Sequence, residues 1–349
     1  MEYKKYDPPV DVFSTAPQSA DATPEAYIQK VVNVARWSEE AGCKGILIYT
    51  DNRLVDPWLV AQIVIQSTQS LRPLVAIQPI YMHPYSVAKM VSSLAFMYER
   101  QIYLNMVAGG FCNDLLALCD ETPHDMRYER LREYTTIIKE LLSNRSAVTF
   151  SGKFYRVENL HLKPALPPHL LPGIFISGSS EAGMATARAL GATAIEYPRS
   201  GEEYAAREAG DHTNSGIRIG IIAAEDETTA WQLAHERFPP DRKGQITHMM
   251  AMKASDSLWH KQLSELDQEI QGQETCYWLW PFKNYKTFCP YLVGSYKKVS
   301  EELAKYIKAG FKNFILDIPA EKRDLQTAGI VFTKAVEESS QWQSYCRTS

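Results

Sequence analysis

A serine-rich turn follows one apolar run of this sequence and is a place where the chain could bind an anion. The segment Ile176-Ser-Gly-Ser-Ser-Glu181 leads directly from that run into a helical pattern. Ser179 and Ser180 would present hydroxyl and N–H groups at the helix start, where unpaired donors and the helix dipole favour negative charge. The turn is therefore predicted to bind a phosphate, and an ordinary serine N-cap is the alternative.

An asparagine and two glycines close another apolar run. The Asn105 amide offers a donor and an acceptor together, as the polar edge of a flavin or a pyrimidine requires. The backbone of Ala108, Gly109 and Gly110 could lie against a flat ligand, because a glycine at a strand exit allows close approach. An ordinary glycine-containing loop is the alternative.

Three more side chains lie in, at the end of, or after apolar runs and could also contact a ligand. Arg218 lies inside the apolar run Gly216–Ala223, where a cation is costly unless it is paired. It is predicted either to form a structural ion pair or to bind an anion in catalysis. Gln78 ends a further run, and Tyr128 opens a helix, where it could bind a phosphate or belong to an ordinary solvated first turn.

The elements that position these residues alternate regularly along the chain. Eight nearly continuous apolar runs are separated by helical patterns, which is typical of parallel strands buried on both faces. The runs are Asp11–Thr15, Lys44–Thr50, Pro73–Gln78, Ile102–Val107, Gly173–Ser177, Thr193–Tyr197, Gly216–Ala223 and Lys312–Ile318. This order favours an α/β fold of the (β/α)₈ TIM-barrel type, whose active sites lie at the carboxyl ends of the strands. An open doubly wound sheet is the alternative.

We expect residues 1–349 to form one barrel domain with two insertions. Residues 111–125 follow the fourth strand, and residues 238–292 separate strands seven and eight. The second insertion contains Trp278 and Trp280, so it could cover the site as a lid or form a packing or dimer surface.

Composition excludes several classes of function. The 349 residues carry a formal net charge of −4, which disfavours nucleic-acid binding because phosphate contacts need a basic surface. No stretch reaches the ~20 apolar residues of a membrane span, and the N-terminus lacks the apolar core of a secretory signal. Six cysteines without a CxxC pair predict free thiols in the cytoplasm. Eight scattered histidines predict no metal site.

Seven segments together resemble the bacterial luciferase-like flavin monooxygenases, and within them the alkanesulfonate monooxygenase branch. They keep the family's order and spacing over roughly residues 10–340, and each alone is weakly specific. The segments are Gly45-Ile-Leu-Ile-Tyr-Thr50, Asp56-Pro-Trp-Leu-Val-Ala61, Asn105-Met-Val-Ala-Gly-Gly110, His124-Asp-Met-Arg-Tyr-Glu129, Ser177-Gly-Ser-Ser-Glu181, Gly216-Ile-Arg-Ile219 and Leu292-Val-Gly294.

The resemblance implies a TIM barrel that uses reduced FMN (FMNH₂), supplied by a separate NAD(P)H:flavin reductase. In such enzymes O₂ adds to the reduced flavin, and the flavin peroxide attacks the substrate. The resemblance further implies a homodimer or homotetramer. It assigns Ser179, Ser180 and Tyr128 to the FMN phosphate and Arg218 to the flavin peroxide or a substrate anion. It places Asn105 and the Ala108–Gly110 backbone along the flavin ring, and the chain itself contains no GxGxxG dinucleotide motif.

Four positions depart from the sulfonate branch. Leu54 replaces a cysteine, Gly220 replaces a histidine, Ala16 or Pro17 replaces a second histidine, and Ile318 replaces a tyrosine. Sulfonate recognition is therefore not expected, and a small-molecule or carrier-tethered acyl substrate is the hypothesis. Two other functions stay open: an F420-dependent oxidoreductase of the same superfamily, and a non-catalytic barrel that binds flavin or fatty acid.

Overall fold

The computed structural model describes residues 10–20, 22–109, 112–143, 146–205, 214–254 and 275–348. Within these residues the chain forms twelve strands and twelve α-helices. The strands are β1 (Asp11–Thr15), β2 (Gly45–Ile48), β3 (Arg72–Ile77), β4 (Tyr103–Val107), β5 (Val148–Ser151), β6 (Arg156–Leu160), β7 (Ile174–Ser177), β8 (Thr193–Glu196), β9 (Ser215–Ala224), β10 (Tyr277–Trp278), β11 (Tyr291–Ser295) and β12 (Asn313–Leu316). The helices are α1 (Pro24–Glu40), α2 (Pro57–Ser67), α3 (Pro84–Tyr98), α4 (Cys112–Ala117), α5 (His124–Ser143), α6 (Glu181–Leu190), α7 (Glu202–Ala205), α8 (Glu227–Arg237), α9 (Arg242–Ala254), α10 (Trp280–Lys283), α11 (Tyr296–Lys308) and α12 (Lys322–Thr348).

Eight of the strands close into a parallel barrel, which confirms the predicted (β/α)₈ fold. The order around the barrel is β1, β2, β3, β4, β7, β8, β9 and β12, and β12 pairs again with β1. All eight pairings are parallel, so the carboxyl ends of the strands meet at one mouth. The open doubly wound sheet is thereby excluded.

The helices begin where the sequence supplies caps. Thr23 and Asp56 accept backbone N–H groups of the first turns of α1 and α2, and a proline follows each of them at the first helical position. Proline is favoured there because its missing N–H would have no helical partner and its φ is already helical. The helices cover the outside of the barrel and bury their apolar faces against the strands.

Apolar side chains fill the middle of the barrel. Side chains alternate along each strand, and the inward-facing set forms one buried cluster. Its members are Phe13, Leu47, Leu74, Tyr103, Phe175, Ile195 and Ile315. The Phe13 ring lies edge-on to Tyr103 and Phe175, with ring centroids 5.5 and 5.2 Å apart. This layer forms the floor below the mouth.

Two excursions from the barrel contain strands that the apolar pattern did not predict. β5 and β6 form an antiparallel hairpin between α5 and β7. In the second insertion, β10 pairs antiparallel with β11, and β11 runs parallel to the second half of β9, from Gly220 to Ala224. No helix in the described part of the chain combines the length and apolar character that a membrane span needs.

Candidate active site

A polar layer lies above the apolar floor, at the mouth of the barrel. Successive side chains of a strand point to opposite faces. The residue two positions beyond each residue of the floor therefore also points into the barrel. Tyr49, Asn105, Ser177 and Asp317 each follow a floor residue in this way, at the ends of four different strands. Arg218 joins the layer from β9, where it is paired in register with Ile315.

Asn105 is held by a neighbouring strand. It is 5 % exposed, and the Ser177 hydroxyl donates a hydrogen bond of 2.8 Å to its side-chain oxygen Oδ1. With the oxygen occupied in this way, the amide nitrogen Nδ2 is the group that can donate to a ligand. The geometry is consistent with the predicted role of Asn105 at the polar edge of a flat ligand.

The loop after Asn105 is shaped by its backbone. Gly109 has φ of +116°, a conformation that residues with a side chain rarely adopt, and its carbonyl oxygen accepts a hydrogen bond of 3.1 Å from Arg127 Nη1. Ala108 is buried beside it. Gly110, the third predicted member of this backbone, lies outside the described residues.

The serine turn and Tyr128 meet at the N-terminus of α6. Ser180 is the N-cap of this helix, and its hydroxyl oxygen accepts the backbone N–H of Gly183 at 3.2 Å. A Cβ added to Gly178, which has φ of +153°, would lie 2.3 Å from the Tyr128 hydroxyl oxygen. Only glycine therefore lets the turn and the phenol approach so closely. The sequence alternatives of an N-cap and an anion-binding turn are both compatible with this arrangement.

The donors of this turn suit an anion. The Ser179 hydroxyl oxygen is buried and has no hydrogen-bond partner among the described residues. Burial raises the pKa of the Tyr128 phenol, so the group stays protonated and can donate. Two serine hydroxyls and a phenol thus belong to or contact the turn at the N-terminus of α6, and a helix N-terminus favours an anion such as phosphate.

Arg218 forms the ion pair that the sequence left as one of two possibilities. Its Nη2 lies 3.2 Å from Asp317 Oδ1, and its guanidinium lies 4.8 Å from the centroid of the Tyr49 ring across the barrel. The Arg218 Nε–H is buried and has no acceptor among the described residues. Pairing with Asp317 therefore fixes the cation through Nη2, while the Nε–H keeps its capacity to donate to a negatively charged group.

A cavity of about 260 Å³ opens at the ends of β2 and β3. Its walls include Gln78, Leu54 and Trp58. The Gln78 amide lies 3.5 Å from the Tyr81 hydroxyl, which donates a 2.6 Å hydrogen bond to Asn52. Leu54, one of the departures from the sulfonate branch, contributes an apolar side chain to a wall that also contains Asp51 and Asn52.

The structure thus places the described candidate residues at one end of the barrel. Asn105, Ala108 and Gly109 lie at the end of β4, Ser179 and Ser180 follow β7, and Tyr128 packs on that turn. Gln78 follows β3, and Arg218 belongs to β9.

Three polar residues of this site were not anticipated from the sequence. Asp317 Oδ2 accepts hydrogen bonds from the Thr287 hydroxyl at 2.5 Å and from the Tyr291 hydroxyl at 2.8 Å. The one signal for Asp317 was its position at the end of the last apolar run. Thr287 and Tyr291 lie in the second insertion, which could have covered the site or formed a packing surface, but no motif singled out these two residues.

Gly220 provides the space for this return. A Cβ added to Gly220 would lie 2.3 Å from the Tyr291 ring, and the two residues are paired in register between β9 and β11. The Tyr291 ring therefore occupies the place of a side chain at position 220, where the sulfonate branch has a histidine.

The aromatic residues of the second insertion divide between two places. The Trp278 ring packs edge-on to Trp231 and Phe238, at 5.5 and 6.1 Å, in the apolar cluster that β9 and β11 share with α8. Burial raises the pKa of the Tyr285 phenol, the positive charge of Arg53 lowers it, and the carboxylates of Asp114 and Asp51 raise it again. That part of the insertion reaches the loops after β2 and β4. A lid role for residues 238–292 stays a prediction.

Comparisons with known proteins show the family to which the chain belongs. The family described as luciferase-like monooxygenase matches residues 9–313. A monooxygenase of Niallia circulans, BtrO, is 34% identical over 295 residues, which cover 83% of this chain and 86% of that protein. The chain belongs to the luciferase-like monooxygenase family. BtrO is named for its action on 4-(gamma-L-glutamylamino)butanoyl-[BtrI acyl-carrier protein].

Solved structures show the same fold with different cofactors. Riboflavin lyase (RcaE) with modified FMN has a TM-score of 0.73 and 15% identity, covering 96% of this luciferase-like chain and 92% of that one. An F420-dependent secondary alcohol dehydrogenase has a TM-score of 0.63 and 13% identity, covering 93% and 99%. The fold therefore accommodates both kinds of flavin.

Proposed function

We propose that this enzyme is the oxygenating component of a two-component monooxygenase, which uses reduced FMN and O₂ on an acyl group tethered to a carrier protein. The carrier-bound substrate is inferred from the name of BtrO, at 34% identity. The chain has no dinucleotide motif, so a separate NAD(P)H:flavin reductase would supply the reduced FMN. Assembly as a homodimer or homotetramer is part of the proposal.

The observation that carries the cofactor proposal is the turn before α6. Ser179, Ser180 and Tyr128 bring neutral hydroxyl donors to a helix N-terminus, and the buried Ser179 hydroxyl has no partner in the part of the chain that the structure describes. Such a group favours a ligand that brings acceptor oxygens, as a flavin phosphate does. Asn105, Ala108, Gly109 and Gln78 would then hold the flavin ring.

The residues of the site would divide the work of the reaction. When bound, reduced FMN supplies the two electrons with which one oxygen atom of O₂ enters the substrate and the other leaves as water. Asn105 would orient the polar edge of the ring through Nδ2. Arg218 would stabilise negative charge on oxygen, and this effect is strong because its side chain is 7% exposed and already oriented by Asp317.

FMN is favoured over F420 by the activity of the family. A monooxygenase must pass electrons to O₂, which reduced flavins do readily, whereas deazaflavin enzymes transfer hydride. The alternative of an F420-dependent oxidoreductase keeps the same fold and predicts hydride exchange without oxygen uptake. The alternative of a non-catalytic barrel predicts ligand binding without turnover.

The test begins with binding and then adds oxygen. Purified protein is titrated with FMN and with F420, each oxidised and reduced, and fluorescence is followed. Oxygen uptake is then measured with reduced FMN, first alone and then with an acyl group on a phosphopantetheinylated carrier protein, as the free acid, and as an alkanesulfonate.

The proposal predicts saturable FMN binding and oxygen incorporation into the carrier-bound acyl group. Tight binding of F420 with hydride exchange and no oxygen uptake would establish the first alternative. FMN binding without turnover of any acyl group would establish the second. Release of sulfite from simple alkanesulfonates would overturn the substrate assignment and leave the cofactor assignment intact.

A further inference from the structure

We propose that Asp317 is the positioning residue for Arg218, and that the second insertion fixes Asp317 through Thr287 and Tyr291. The proposal rests on the proposed function, in which Arg218 acts on negative charge at the mouth. In this proposal the insertion helps to position Arg218 at the reaction centre.

The geometry of the carboxylate supports this role. Asp317 Oδ1 faces Arg218 Nη2 at 3.2 Å, while Oδ2 accepts the hydroxyls of Thr287 at 2.5 Å and Tyr291 at 2.8 Å. Since each oxygen has its own partners, rotation of the carboxylate would break contacts on both sides. The orientation of the guanidinium is thereby tied to the position of the insertion.

The ion pair and its hydrogen bonds are almost completely buried, which makes their loss costly. The Arg218 and Asp317 side chains are 7% and 11% exposed, and a cation so buried needs a nearby opposite charge. Burial and then the Asp317 carboxylate raise the pKa of Tyr291 well above its usual value, so the phenol remains a donor to Oδ2. The charge of Arg237 also interacts with Tyr291 and Asp317. Its ion pair, however, is with Asp324, at 2.8 Å.

The chain makes room for this arrangement. Gly220 leaves the space that the Tyr291 ring fills, and the register of β11 on β9 brings the hydroxyl to Asp317. At the far end of the network the buried Arg218 Nε–H stays without a partner among the described residues. Asp317 thus holds the guanidinium by one edge and leaves another donor for a ligand.

A chemical-rescue experiment tests the role of Asp317 directly. Arg218→Ala leaves a space bordered by the Asp317 carboxylate, which guanidinium ion can enter in place of the lost side chain. We expect millimolar guanidinium chloride to raise the melting temperature of Arg218→Ala by about 2 °C, because a ligand of the folded state stabilises it. In Arg218→Ala/Asp317→Asn the rise should be absent. Sodium chloride at equal ionic strength controls for screening.

The same variants report on chemistry. Arg218→Ala should slow oxygen-dependent reoxidation of reduced FMN by about 100-fold, and guanidinium should restore about tenfold of that rate. Arg218→Ala/Asp317→Asn should not be rescued, whereas Arg218→Ala/Asp324→Asn should be, since Asp324 pairs with Arg237 instead.

The insertion's part is tested by Tyr291→Phe, which keeps the ring beside Gly220 but removes the hydroxyl. We expect about a tenfold lower reoxidation rate with unchanged FMN affinity. Equal guanidinium effects with and without Asp317, or an unchanged rate in Tyr291→Phe, would overturn the inference. If the wild-type protein binds no FMN, the proposed function fails, and the thermal rescue still decides whether Asp317 holds the guanidinium.

Discussion

At the scale of single residues, two adjacent serines in one turn should differ in their contribution to the stability of the protein. Ser180 caps α6, whereas the buried Ser179 hydroxyl has no partner among the described residues. Ser180→Ala should therefore lower the free energy of unfolding by about 1 kcal/mol, and Ser179→Ala should change it by less than about 0.5 kcal/mol. Both should weaken FMN binding by about tenfold, because each removes a donor to a charged phosphate. Chemical denaturation of the apoprotein and fluorescence titration measure the two quantities.

A cap distant from the site supplies the control. Asp226 accepts the Thr229 N–H at 2.9 Å and caps α8. Asp226→Ala should lower stability while FMN affinity stays unchanged. Wild-type FMN affinity in Ser179→Ala would show that the phosphate does not bind at this turn.

Residue types at strand ends could be predicted from the sequence, but their partners could not. Asn105, Ser180 and Arg218 stood out because polar groups interrupt or end apolar runs. The pairing of Arg218 with Asp317 joins positions 99 residues apart, and the hydroxyl contacts of Asp317 depend on the path of the insertion. Local spacing contains no information on such contacts.

At the scale of elements, burial on both faces made the barrel strands predictable. The strand predicted over Lys44–Thr50 is Gly45–Ile48, and the one predicted over Gly216–Ala223 is Ser215–Ala224. The hairpin β5–β6 was missed because its short strands are mostly exposed and give almost no apolar run. β11 was missed as a pairing partner because it reaches β9 only after a long insertion, and local spacing contains no information on that pairing.

The missed hairpin is held by one carboxylate, which gives a prediction for this element. Glu133 of α5 accepts the backbone N–H groups of Lys153, Phe154 and Tyr155 at 2.8, 2.8 and 3.1 Å. Glu133→Ala should lower the free energy of unfolding by about 2 kcal/mol and expose the hairpin to limited proteolysis. Denaturation curves and protease digestion check both effects.

Glu158 on the same hairpin is the matched control. Its ion pair with Arg156 spans 3.7 Å and both side chains are 77% exposed, so Glu158→Ala should leave stability and digestion nearly unchanged. Equal sensitivity of the two variants would mean that the Glu133 contacts do not hold the hairpin.

At the scale of the whole molecule, the end of the barrel opposite the mouth contributes stability that depends on pH. The Glu39 carboxylate of α1 accepts the backbone N–H groups of Gln69, Ser70 and Leu71, which lead into β3. Burial alone would raise the pKa of Glu39, but these hydrogen bonds outweigh it, and the pKa lies below its usual value. Folding therefore favours the ionised form, and this stabilisation is complete above the pKa of the unfolded chain.

Acidification should remove the stabilisation that the Glu39 carboxylate provides. As the pH falls through the lowered pKa of Glu39, the carboxylate takes up a proton and its stabilisation is lost. Glu39→Gln should lower the free energy of unfolding by about 1 kcal/mol near neutral pH, and the difference from wild type should shrink as the pH falls below the usual range of glutamate pKa values. The exposed neighbour Glu40, paired with Lys322, is the control, and Glu40→Gln should show little difference at any pH. FMN affinity should be unchanged in both variants, because residues 39 and 40 lie at the end away from the mouth. A Glu39→Gln deficit that stays constant across the pH range would contradict the assignment of this acid sensitivity to Glu39.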